Sequence, residues 1–221
     1  MKPVICLIVC FLSMIPAHLI AQKTLTEGLL VYNISIESIK GEKTPGGSLN
    51  GAVLNVFLMK DKSRTEMVST PGTETAVYDA AAGKGFILKE YSAQKLMITT
   101  TADNWQQKNH VNHSLDFKTD NTTQVVNNYT CKKAVAVTAD DKRYTVYYDP
   151  SVIIANKTYN NAFPQLAGMP VRFELQSGNL IFKYDLVKYS PENISTAKFD
   201  APKSGFRVMT FEENQQLKKG E

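Results

Sequence analysis

Most of the chain beyond its first two dozen residues alternates between apolar and polar side chains, and that period of two limits the fold more than any other feature. It puts successive side chains on opposite faces of an extended backbone, so each such stretch reads as a half-buried strand. In GLLVYNISIES, Leu30, Tyr32, Ile34 and Ile36 share one face, while Asn33, Ser35 and Glu37 share the other. AVLNVFLMK differs, because Ala52, Leu54, Val56 and Leu58 lie opposite Val53, Phe57 and Met59. A strand apolar on both faces must be covered on both, and this one is expected at the centre of a sheet.

Short strands and tight turns then follow one another: KSRTEMVST closed by Pro71-Gly72, TAVYDAA, a GKG turn, FILKEY and LMITTT. That rhythm describes an antiparallel meander. Residues 102–122 interrupt it, being polar and without alternation, and read as a long loop with one helical turn around Trp105. Strands resume with YTCKKAVAVTA, RYTVYYD, MPVRFELQ and LIFKYDLVKY. Near the end, Thr210 and Glu213 in TFEENQQLKK form a capping box, and Lys218 and Lys219 complement the far end of the helix dipole. The expected class is mainly β (α+β), a single curved antiparallel sheet with short peripheral helices.

The first 21 residues are a unit of another kind. Lys2 precedes an apolar run from Val4 to Ile15, followed by Pro16 and a short segment ending in Ala21. This is the layout of a secretory signal, with cleavage expected between Ala21 and Gln22. The run is roughly 12 residues, short of the ~20 that span a membrane. Cys10 lies inside the run behind Val9, a poor context for lipid attachment. Residues 22–221 are expected as one β-rich exported domain, periplasmic or extracellular, with no transmembrane segment after signal removal.

The formal charge of +4 comes from charges of both signs spread along the chain. No basic stripe of the kind that holds nucleic acid is present. The nucleophile elbow, the H-E-x-x-H pair, the P-loop and the dinucleotide fingerprint are all missing. His110 and His113 form H-x-x-H, but only Asp103, Asp116 or Asp120 could join them, so solvated loop histidines are the preferred reading. No cofactor or metal is expected. Cys131 is the one cysteine beyond the signal. Strand parity places it with Tyr129, Val135 and Val137, and a bulge or strand end is expected near Lys133. A buried, inert thiol is favoured there over a disulfide or a nucleophile. Gly168-Met169-Pro170 reads as a turn in which glycine supplies a left-handed backbone and proline an extended one, with a pocket gate as the other reading. Sequons at Asn121, Asn128 and Asn156 are taken as incidental.

CKKA (131–134), TVYYDP (145–150), LAGMPVRFEL (166–175) and FDAPKSGFRVM (199–209) occur in an order that resembles exported GLPGLI-type and related uncharacterised domains of Gram-negative bacteria. Val171 stands where the named family has a second glycine, which points to a sister family. The resemblance implies a LolA/LolB-like fold, an open half-barrel whose apolar concave face holds a ligand. It therefore implies a non-enzymatic periplasmic or envelope protein that binds a lipid or acylated ligand. Tyr32, Leu54, Val56, Phe86, Phe173, Phe182 and Tyr184 are the expected apolar contacts, with Phe163 and Met169 as gate. The alternative is an envelope module that binds another protein and no small ligand.

Overall fold

The alternating stretches become strands, and their register sets which side chains meet. The computed structural model describes residues 22–40, 49–92, 94–113, 115–139, 141–159 and 163–219. The expected signal, residues 1–21, lies outside these. The first half contains β1 (Lys23–Leu25), β2 (Gly28–Ser38), β3 (Val53–Leu58), β4 (Lys62–Ser69), β5 (Gly72–Asp79), β6 (Lys84–Tyr91) and β7 (Gln94–Thr101). Helix α1 (Ala102–His113) leads into β8 (Lys118–Val126), β9 (Tyr129–Val137), β10 (Arg143–Asp149) and β11 (Val152–Ile154). Next come β12 (Met169–Ser177), β13 (Leu180–Ser190), a 3-10 turn (Thr196–Phe199), β14 (Arg207–Thr210) and α2 (Phe211–Lys219).

Twelve of these strands form one sheet, in the order β14-β7-β6-β5-β4-β3-β2-β13-β12-β10-β9-β8. Pairing is antiparallel except between β14 and β7. The sheet is curved and does not close, so β14 and β8 are its edges. The short strands β1 and β11 pair separately.

On the inner face, Tyr32, Leu54, Met67, Glu74, Lys89 and Leu96 lie opposite one another from β2 to β7. A neighbouring row runs Leu30, Val56, Thr65, Ala76, Ile87, Ile98 and Met209. α1 covers part of that row. Trp105 stacks on Tyr78 with centroids 4.6 Å apart and joins Ile87, Ile98 and Phe211 in a small core. The outer face of the same half buries Phe57, Val77, Phe86 and Leu88 under Ile194 and Phe199. Arg64 Nη1 donates to Lys198 O at 2.8 Å, and the Lys198 ammonium sits 4.3 Å from the Phe57 ring. β3 is thus covered on both faces, as its composition requires.

The stretch read as a loop is the main departure. α1 occupies Ala102–His113, and β8 begins at Lys118. The helix is almost wholly polar, so it shows no apolar period. It is held by a reciprocal cap, Thr101 N to Asn104 Oδ1 at 3.0 Å and Asn104 N to Thr101 Oγ1 at 3.2 Å. Its one large buried apolar side chain among the described residues is Trp105, whose Nε1 donates to Thr158 O at 3.2 Å. β8 is a backbone-paired edge strand with nearly every side chain exposed, so it has no face to alternate.

The parity expected around Cys131 also changes. β9 buries Cys131, Ala134 and Ala136, whereas Val135 is half-buried and Val137 is exposed. Burial switches from odd to even positions at Lys132 and Lys133, where the β8 register shifts between Asp120 and Thr123.

The C-terminal capping box forms as expected. Thr210 N donates to Glu213 Oε2 at 2.7 Å, and Glu213 N donates to Thr210 Oγ1 at 3.2 Å. Thr210→Ala should cost about 1 kcal/mol and lower the Tm by roughly 2–4 °C. Thr210→Ser should retain most of that in a thermal melt. An unchanged Tm for the alanine variant would contradict the cap.

Candidate functional site

The inner face narrows to a crevice where β3, β4, β12 and β13 meet α1 and the segment before β12. Leu54, Met67, Phe173, Leu175 and Tyr184 form its apolar wall, and Phe163 also lines it. Phe173 is the hub of an aromatic cluster. It stacks on Tyr184 at 4.3 Å and meets Tyr32 at 5.3 Å and Phe163 at 5.2 Å edge-on. Phe163 in turn meets Phe117 at 5.7 Å. Phe163 has φ +63°, a left-handed conformation uncommon for a bulky residue and held here by its ring contacts.

The crevice encloses about 160 Å³. Sites for small molecules usually hold ~300–1,000 Å³, so this crevice is smaller than such a site. Its polar end is formed by Glu74 on β5 and Lys108 on α1. Burial lowers the pKa of Lys108, Glu74 opposes that shift, and Lys218 and Lys89 add to it. The Lys108 ammonium also lies 5.5 Å from the Trp105 ring.

The residues expected from sequence divide into three groups. Leu54, Phe173, Tyr184 and Phe163 meet at the crevice. Tyr32, Val56 and Phe182 belong to the same core but do not line it. Tyr32 is fully enclosed and its hydroxyl donates to Pro170 O at 2.8 Å, while burial holds its pKa well above the ordinary tyrosine value. Phe86 points the other way. Ile87 faces α1, so Phe86 lies on the outer face beside an open groove of about 570 Å³ with Val77, Met97 and Phe199.

Met169 is fully buried at the start of β12, opposite Asp149. Gly168 is not among the left-handed residues. Its role is steric, because a Cβ there would meet Tyr148 Cδ2 at 2.3 Å and Asp149 O at 2.6 Å. Lys108 had no signal in the sequence, since its helix carries no apolar period.

Cys131 is fully buried, and burial with the nearby Asp149 charge pushes its thiol up to about 11. A raised thiol pKa favours the neutral form in the fold. That stabilisation is present below the ordinary value of 9.0 and is lost as pH rises toward 11. Between about pH 8 and about pH 10.5, the urea midpoint of the wild type should fall further than that of Cys131→Ala. Equal falls would contradict it. The side chains of His110 and His113 lie outside the described residues. Asn156 is buried and its Nδ2 donates to Met59 O and Lys62 O, which makes this sequon residue structural.

No protein-family model and no curated protein matches the sequence, so the GLPGLI-type likeness rests on its motifs. Solved structures do match. An uncharacterised conserved protein from Thermus thermophilus is 11% identical, over 84% of this chain and 91% of that one, with a TM-score of 0.52. PNGF-II is 9% identical over 86% of this chain, with a TM-score of 0.48, and this chain spans only 32% of it. A LolA superfamily protein from Nitrosomonas europaea is 6% identical over 80% of this chain and 91% of that one, with a TM-score of 0.40. At such identities a likeness concerns the fold alone. The sheet itself is the open, curved half-barrel with short peripheral helices that the LolA-like resemblance implies.

Proposed function

We propose that this chain is a non-enzymatic protein of the cell envelope that takes the apolar part of a lipid or acylated molecule against the inner face of its sheet. The crevice carries this reading: an apolar wall of Leu54, Met67, Phe173 and Leu175, with the Phe163 ring beside it. At about 160 Å³ it admits a chain only when that ring swings out, so Phe163 is the gate. Met169 is fully buried at the start of β12 and does not line the crevice, so Phe163 is the preferred gate of the two. Exported residues 22–221, released by cleavage after Ala21, form the working domain. Among the described residues no helix is long and apolar enough to cross a membrane. Native mass spectrometry of purified protein should show bound lipid, in larger amount for Phe163→Ala than for wild type. Lipid-free spectra for both would overturn the reading.

One observation favours the protein-binding alternative. β8 is an exposed edge strand with Val125 at 75% exposure, and such an edge can accept a partner's strand. The two-residue shift in its register opposite β9 works against that pairing. A single stoichiometric protein partner without lipid would establish it.

A further inference from the structure

The inner-face row does not stop at the apolar crevice. It runs from Leu54 through Met67, Glu74, Lys89 and Leu96 to Arg207 on β14. Five strand-to-strand steps cover roughly 24 Å, the scale of one extended amphiphile. Where the row ends, a groove of about 820 Å³ opens between the β6–β7 hairpin, β14 and α2. Leu96, Met209 and Leu217 give it an apolar lining, and Lys89, Arg207 and Lys218 give it charge. Lys95 also borders it, paired with Glu90 at 3.0 Å. Among the described residues, neither aspartate nor glutamate lines the groove. Lys89, Arg207 and Lys218 form no ion pair with a described residue. The nearest carboxylate of the row, Glu74, lies opposite Lys89 across the β5–β6 pairing and outside the lining of the groove. The lining of the groove is therefore net positive, with Glu74 at its inner border.

We propose that this groove binds the anionic headgroup of the lipid whose apolar chain enters the crevice, with Lys89, Arg207 and Lys218 holding a phosphodiester. The inference rests on the chain-binding reading above and adds the headgroup class to it. An acidic peptide would satisfy the charges but leave the route to the apolar crevice unexplained.

Short-chain lipids with matched acyl chains separate the two claims. Isothermal titration with dihexanoyl phosphatidylglycerol and dihexanoyl phosphatidylcholine should show roughly tenfold or greater preference for the anionic lipid, weakening with added salt. The double variant Lys89→Glu, Lys218→Glu should lose the preference, weakening phosphatidylglycerol far more than phosphatidylcholine, whose choline cation offsets its phosphodiester. If that variant fails to fold, Lys89→Gln with Lys218→Gln reads the same preference. Equal binding of both lipids by the wild type would overturn the headgroup assignment and leave the chain-binding reading standing. Binding of neither would overturn both. A preference unchanged in the variants would exclude this groove, and a hexaglutamate peptide binding there more tightly than the anionic lipid would mark a protein partner instead.

Discussion

Phe173→Ala should lower stability by about 3–5 kcal/mol, the usual cost of truncating a buried phenylalanine. For a chain of this size that corresponds to a fall in Tm of roughly 6–20 °C. Phe173 is only 8% exposed and touches Tyr32, Phe163 and Tyr184, so its loss unpacks three rings together. The void would adjoin the crevice, and the variant should bind an apolar fluorescent dye more strongly than wild type under native conditions. Phe173→Leu, which retains most of the volume, should cost clearly less. A melt shifted by only a degree or two would show that the aromatic cluster is looser than its ring distances imply.

Gly168→Ala should be the most damaging addition of a single methyl near the site. The new Cβ would lie 2.3 Å from the Tyr148 ring and 2.6 Å from the Asp149 carbonyl oxygen. The second contact is backbone held in the β10–β12 pairing, so it cannot rotate away as a side chain can. Overpacking of this kind costs typically about 1–3 kcal/mol, and the upper end is expected here. Because Gly168 does not use a left-handed backbone, Gly168→Asn should gain nothing over alanine. Thermal melts of the two variants test this directly, and recovery by asparagine would indicate a conformational role instead.

These two positions show what could be read before the fold was known. The inner face of β2 and the doubly covered β3 were legible because burial imposes a period of two. The capping box was legible because it is a local hydrogen-bond pattern. Phe173 and Tyr184 could be named as apolar contacts, but only strand register brings them together with Leu54 and Phe163. Phe86 was misplaced because its strand buries residues on both faces, Ile87 under α1 and Phe86 under Phe199. Composition cannot say which face is the inner one. Gly168 looked like a turn glycine, yet its constraint comes from Tyr148, a neighbour twenty positions away that local sequence does not reveal. α1 and β8 were hidden for a common reason. One is held by caps and a single tryptophan, the other by backbone pairing at an edge, and neither needs an apolar pattern.

Photo-crosslinking with a diazirine-tagged fatty acid tests the central claim most directly. If a chain enters behind Phe163, adducts should map to Leu54, Met67 and Leu175 on the inner face and increase in Phe163→Ala. Adducts confined to the outer groove around Phe86 and Phe199, or none at saturating probe, would contradict a chain-binding inner face.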